Sequence, residues 1–164
     1  SVDFVTERSS VRNFTVEQSL RFNAKLKRVI LDGTIGARYW HATSARTNFQ
    51  PINSFDVTYG LNIQLPLPGQ FAFSTDCKLY QRAGYSDASM NDLRFVANAH
   101  LEKTFLRGRL NVALEGYDIF GGLSNVTKVI NAQGIVETWY NSLPSYAMIQ
   151  ISYKLSQPPK KRHQ

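Results

Sequence analysis

Every second residue from Phe55 to Leu65 is apolar: Phe55, Val57, Tyr59, Leu61, Ile63 and Leu65. The residues between them are Asp56, Thr58, Gly60, Asn62 and Gln64. A period of two fits one conformation only, a β-strand with one apolar and one polar face. Pro66-Leu67-Pro68-Gly69 then reads as a turn. Phe71, Phe73, Thr75, Cys77 and Leu79 continue the pattern against Ala72, Ser74, Asp76, Lys78 and Tyr80.

The same alternation returns along the chain. Leu20 to Leu26, Leu31 to Tyr39, Leu93 to Leu101, Leu110 to Leu114 and Ala147 to Leu155 each place apolar residues at every second position. No segment favours a 3.6-residue period. The expected fold is all-β and antiparallel, a meander of about seven or eight strands.

The connections sort by length. Short ones fall at Lys27-Arg28, at Pro66 to Gly69 and at Phe105 to Gly108. Long ones run from about His41 to Ser54, Gly84 to Asn91 and Phe120 to Ser145. Tight turns at one end and long loops at the other mark a transmembrane β-barrel, and the C-terminus then falls on the tight-turn, periplasmic side. Apolar faces of five or six positions match the roughly ten residues that a tilted strand needs to cross a bilayer. Aromatics near strand ends fit interfacial girdles: Tyr39, Trp40, Phe49, Tyr85, Tyr117, Phe120, Trp139, Tyr140 and Tyr146 on the long-loop side, Phe105 and Tyr153 on the other. The polar faces hold both signs of charge, including Arg21, Arg38, Lys78, Arg82 and Arg94 against Glu17, Asp32, Asp56, Asp76 and Asp92. Such faces suit either solvent or a water-filled lumen.

Composition removes other classes. The 164 residues are 43% hydrophobic, so the chain can order itself. The single cysteine, Cys77, excludes a disulfide framework and a cysteine-based zinc site. No cluster of His, Asp and Glu has metal-ligand spacing, and no cofactor is expected. No apolar run reaches the length of a transmembrane helix. Ser1-Val2-Asp3-Phe4 lacks the features of an export signal and an initiator Met, which reads as an excised piece. The net charge of +7 owes much to Lys160-Lys161-Arg162, after Pro158-Pro159. Residues 1–155 are therefore read as the barrel segment and 156–164 as a flexible basic tail, with no nucleic-acid partner.

The stretch Leu143-Pro144-Ser145-Tyr146-Ala147-Met148-Ile149-Gln150-Ile151-Ser152-Tyr153-Lys154-Leu155 resembles the closing strand of an outer-membrane barrel. Together with Asn62 to Pro66 and Asn111 to Phe120, it is similar to the C-terminal barrel segment of TonB-dependent receptor-like proteins of Bacteroidetes. The resemblance covers about residues 14 to 155. It departs at the tail after Leu155, where many relatives stop on an aromatic, and it lacks the family's plug domain and TonB-contacting segment. The resemblance implies nutrient uptake across the cell outer membrane. Its expected partners are outer-membrane lipid, a small nutrient, the rest of a larger barrel with its plug, and TonB through another part of the receptor.

Two alternatives stay open. Adding Val2 to Glu7 as a strand gives a complete eight-stranded outer-membrane barrel for adhesion or anchoring. A soluble lipocalin-like barrel also has this length and alternation. No enzyme is expected: His100 stands near Glu102 on a polar face, but no nucleophile elbow, phosphate loop or zinc motif accompanies it. The candidate ligand contacts are Asn125, Asn131, Gln133, Trp139 and Tyr140, in a loop whose flanks, Val126 to Ile130 and Ile135 to Trp139, suit a small hairpin projecting outward.

Overall fold

The computed structural model describes residues 10–45, 50–123, 126–131, 134–140, 143 and 145–155. Strands β1 (Val11–Leu26), β2 (Val29–Ser44), β3 (Ile52–Leu67), β4 (Phe71–Ala83), β5 (Asp92–Phe105), β6 (Leu110–Tyr117) and β9 (Tyr146–Tyr153) form one seven-stranded sheet in that order. Every neighbour is antiparallel. Between β6 and β9, β7 (Val126–Asn131) and β8 (Gly134–Trp139) pair as a separate hairpin. The all-β antiparallel meander expected from the alternation is thus present, and so is the small hairpin.

The register keeps the two faces apart across the sheet. On one face, Leu20, Ile35, Tyr59, Leu79 and Phe95 lie in a row from β1 to β5. Leu65, Phe73, Leu101, Leu114 and Ile149 form a second apolar row from β3 to β9. On the other face, Asn23, Asp32, Asn62, Asp76 and Asn98 share one row. Glu17, Arg38, Asp56, Arg82 and Asp92 share another, with the sign of charge reversing at every strand.

Among the described residues the apolar face carries no second layer, and the polar face meets only the small hairpin at one end. The accessible surface is 13131 Å², against about 8,000 Å² expected for a compact chain of 18.6 kDa. Leu20, Phe22, Tyr59, Leu61 and Phe95 are all exposed on the apolar face. Phe22 stands directly opposite Gly33, and its ring occupies the space that a Cβ at Gly33 would need. An aromatic lying over a cross-strand glycine restores apolar cover where the backbone is bare.

The tight turns lie near their expected places, but β2 runs to Ser44 and β3 spans Ile52–Leu67, so the link expected from about His41 to Ser54 is shorter and the turn expected at Pro66 begins after Leu67. Lys27-Arg28 closes β1 to β2, and residues 68–70 close β3 to β4. Lys27 takes the left-handed conformation in this turn, with φ 54°. The β5–β6 link is a short helical turn, Leu106–Gly108. At the same end Lys103 lies on the apolar side, its ammonium 4.3 Å from the Phe71 ring and 4.9 Å from the Phe105 ring. Phe105, Leu110 and Tyr153 form the last row there.

The aromatics at the other end do not act alike. Tyr85 is buried, and its hydroxyl donates to both carboxylate oxygens of Asp56 at 3.0 Å. It is a polar-side anchor and not a girdle residue. Tyr117 and Tyr146 face each other across β6 and β9 on the polar side, with ring centroids 4.7 Å apart. Tyr39 and Phe120 do lie with the apolar face, Phe120 5.5 Å from the Phe95 ring. Phe49, the Val2 to Glu7 segment and the 156–164 tail lie outside the described residues.

β6 is shorter than β5, so the Asp92 to Asn98 half of β5 needs another cover. The chain after β6 supplies it. The amide of Ile119 donates to the carbonyl of Ala97 at 2.9 Å. Asn98 Oδ1 accepts from the amide of Asp118 at 2.8 Å. The buried carboxylate of Asp118 in turn accepts from the amides of Gly122 and Leu123 at 2.7 and 3.0 Å. Gly122 lies so close to the carbonyl of Phe95 that a Cβ would overlap it. This turn replaces a missing strand along the edge of β5.

Candidate functional site

The polar face carries its most concentrated chemistry at the long-loop end. Strand alternation sends Arg38, Asp56, Arg82 and Arg94 to that face from four successive strands. Asp56 is the hub. Its carboxylate lies 3.2 Å from Arg38 Nη2 and 3.5 Å from Arg82 Nε, and its two oxygens share the single Tyr85 hydroxyl proton. The guanidinium of Arg82 also stacks 4.6 Å from the Tyr85 ring centroid. Arg94 pairs with Asp92 at 2.7 Å and lies 5.9 Å from the Tyr80 ring.

The β4–β5 connection anchors this corner. Asn91 Oδ1 accepts from the Tyr85 amide, and Asn91 Nδ2 donates to the Tyr85 carbonyl, each at 2.9 Å. Asp87 caps the short helix Ala88–Met90 by accepting from the Ser89 amide at 2.8 Å. The Ser89 hydroxyl and amide together hold the Asp87 carboxyl below the ordinary aspartate range. Ala42, Ile52, Ser54, Tyr85 and Met90 are all buried at this end, a small core under the connection.

The hairpin closes one side of the site. Arg82 Nη1 donates to the carbonyl of Lys128 at 3.2 Å. Lys128 Nζ donates to Ser89 Oγ at 3.0 Å and pairs with Glu137, its cross-strand partner, at 2.8 Å. The Glu137 carboxylate raises the Lys128 pKa above the ordinary lysine range. The hairpin is therefore held against the polar face and does not project straight outward. Between it and the sheet lies a cleft of about 720 Å³. Glu17, Arg38, Asp56, Arg82 and Arg94 line its floor, and Thr127, Lys128 and Val129 its wall.

The residues expected to touch a ligand fall differently. Asn125 and Gln133 lie outside the described residues. Asn131 ends β7 opposite Gly134, and its side chain is also outside them. Trp139 ends β8 with 74% of its surface exposed, and Tyr140 follows it, also exposed. Neither lines the cleft. The groups that do line it were legible only as members of a mixed-charge face; which of them meet depends on register, which alternation alone leaves open.

A second cluster sits toward the tight-turn end. The row partners of His100 are Ser74 and Glu115. His100 Nδ1 is 3.1 Å from Glu115 and Nε2 is 3.4 Å from Glu102. Glu115 also accepts from Tyr117 Oη at 2.6 Å, and Glu102 from Asn111 at 3.3 Å. This is a cross-strand polar network; among the described residues no His, Cys, Asp and Glu group has the arrangement of a metal site. Cys77 lies on the apolar side, 3.8 Å from the Thr75 hydroxyl, which itself donates to the Asn98 carbonyl at 2.7 Å.

Comparison with protein-family models, curated proteins and solved structures returns no match.

Proposed function

We propose that the chain is an arc of an outer-membrane β-barrel, the C-terminal barrel portion of a TonB-dependent receptor that takes up a nutrient. The carrying observation is a seven-stranded meander whose outer strands, β1 and β9, each have one unpaired edge among the described residues. Unpaired backbone edges cannot stand in lipid, so such an arc requires further strands to close it. The uninterrupted apolar run from Phe55 to Leu67 supports a lipid-facing exterior. It extends about 40 Å at ~3.3 Å per residue. At a tilt of about 40° that becomes roughly 30 Å, the hydrocarbon thickness of a bilayer. Lys103 over Phe71 and Phe105 suits the water boundary at the tight-turn end.

A larger barrel is favoured over a closed eight-stranded one. A barrel of that size fills its interior with its own side chains. Here the polar face opens onto a cleft of about 720 Å³. In this reading the hairpin is an extracellular loop folded into the lumen, and the rest of the barrel, a plug and TonB are partners. The test is fractionation of the producing cells with an antibody to Ser156–Gln164, comparing heated and unheated samples. A heat-modifiable outer-membrane band several times larger than 18.6 kDa is expected. A heat-modifiable band near 18.6 kDa replaces the transporter with a small barrel, and a soluble band removes the membrane reading.

A further inference from the structure

We propose that the tight-turn end of the sheet is a basic rim that docks on the anionic headgroups of phospholipids. The proposal rests on the receptor reading, because it names the lipid chemistry that meets one end of that barrel. What carries it is a charge excess confined to this end. Lys25, Lys27 and Arg28 stand at the β1–β2 turn, Lys103, Arg107 and Arg109 about the β5–β6 turn, and Lys154 just after β9. All but Lys103 are exposed.

Acidic groups do not answer this charge. Lys25 lies in the row that runs through His100 to Glu115. From that row out to the turns, Glu102 is the one carboxylate among the described residues, and His100 and Asn111 already engage it. Glu115 itself is engaged by His100 and Tyr117, and Asp32, one row pair farther in, by Asn23. Among the described residues none of the rim cations forms an ion pair. The long-loop end differs: Arg38, Arg82, Arg94 and Lys128 there are matched by Glu17, Asp56, Asp92 and Glu137.

The shape of the rim says what covers it. The cations follow the margin of the apolar face from β1 to β9, a line of roughly 30 Å at ~4.8 Å per strand. Exposed apolar side chains stand among them: Leu26, Leu67, Phe105, Leu106 and Tyr153. Lys103 is on the apolar side itself, its ammonium over the Phe71 and Phe105 rings, an arrangement that keeps the stem in an apolar layer and the charge at its boundary. Leu106 and Arg107 both take the left-handed backbone, φ 53° and 54°, a costly conformation for residues with side chains, and the turn leaves both exposed. An acidic soluble partner would meet the charges and gain nothing from the apolar side chains between them. A phospholipid supplies a phosphate for the one and acyl chains for the other.

The test uses the whole protein, extracted in detergent and reconstituted into phosphatidylcholine vesicles with a minor share of phosphatidylglycerol. Phe105→Trp puts a reporter among the rim cations, and Phe55→Trp puts one at the far end of the apolar face; each is read as emission in excess of wild type. One lipid or the other carries brominated chains, which quench a neighbouring tryptophan. At low salt brominated phosphatidylglycerol should quench Phe105→Trp several-fold beyond its share, and the preference should fade as salt rises. Phe55→Trp should show no preference. A basic residue near an anionic surface is worth about fivefold, so Lys103→Gln with Arg107→Gln, added to Phe105→Trp, should bring the preference near parity. Arg107→Gln with Arg109→Gln, both exposed, carries the test if Lys103→Gln does not keep the heat-modifiable band. Arg12→Gln, at the other end, should change nothing. Equal quenching by the two lipids at Phe105→Trp, a preference that survives salt or the glutamine variants, or the same preference at Phe55→Trp overturns the proposal. Quenching without preference removes the rim and keeps the barrel, whereas no quenching at either reporter removes the membrane reading and the rim with it. A Phe105→Trp reporter indifferent to phosphatidylglycerol but shifted by soluble polyglutamate reassigns the rim to an acidic protein.

Discussion

An arginine placed at different heights on the apolar face reports whether that face meets lipid. Leu61 is midway along the Phe55 to Leu67 run and opposes Gly33 and Cys77. It lies about 20 Å along the strand from either end of the run. At about 40° of tilt this puts it ~15 Å from each boundary, near the bilayer midplane. Leu61→Arg should therefore cost about 2–4 kcal/mol, and Leu67→Arg, at the tight-turn boundary, about 0–1 kcal/mol. Asn62 is the control: it is next in sequence but on the opposite face, and among the described residues its side chain accepts a long 3.5 Å bond from Gln64. Asn62→Arg should stay within about 0.5 kcal/mol. The assay is urea unfolding from lipid vesicles, read as the fraction of heat-modifiable band. The decisive quantity is the gradient between Leu61 and Leu67. Exposed apolar surface in water has no depth, and a face that lines a soluble cavity has none set by a bilayer. Equal costs at the two leucines, or a cost at Asn62 matching that at Leu61, would refute the lipid-facing assignment.

Three further outcomes follow from the polar side and the edge of β5. Asn98→Ala should cost about 1–3 kcal/mol in the same unfolding assay, because Asp76 and the Asp118 amide both lose a partly buried partner; Asn62→Ala, in the same row, should be nearly silent. Gly122→Ala should push the Asp118 turn off the Phe95 carbonyl at about 1–3 kcal/mol, seen as faster hydrogen exchange at the Ile119 amide. The hairpin tether should depend on pH through Lys128, whose pKa is raised by Glu137. A raised pKa gives stability that is complete below the ordinary lysine value and lost as pH climbs through the folded value. Proteolysis of the hairpin should thus stay slow up to the ordinary lysine range and accelerate only above it; acceleration at lower pH would contradict the tether.

Period-two patterning made the fold legible because each strand buries or exposes whole faces. Leu31 to Tyr39 and Leu93 to Leu101 announce both the element and its sidedness, and turn residues mark the breaks. The hairpin was legible too, from Val126 to Trp139. The site was not. Tyr85 reads as one more aromatic at a strand end, yet it is drawn inward because its hydroxyl is the partner Asp56 needs. Lys128 reads as a loop lysine, yet its carbonyl meets Arg82 from forty-odd positions back in the chain. Asp118 carries no pattern at all; its role comes from β6 ending before β5 does. Each of these depends on which strands stop early and on contacts distant in sequence, which local alternation does not encode.

Alternation also leaves the register itself underdetermined, and the polar rows resolve it. Sliding one strand by two residues returns every side chain to its own face, so the apolar stripes tolerate such a slip. The charges do not. Moving β3 by two against β2 replaces the Arg38–Asp56 pairing with Arg38 opposite Ser54 or Thr58. Moving β4 by two against β3 puts Arg82 opposite the same neutral residues and leaves Asp56 with Arg38 alone. Cross-strand pairs of this kind are worth about 0.2–1 kcal/mol each. A row of alternating sign from Glu17 to Asp92 spreads that penalty over every strand boundary it crosses. The arginines of the cleft are thus the residues that fix where each strand stops sliding, so neutralising Arg38 should loosen register, while Leu61→Arg should change membrane stability without touching the ladder.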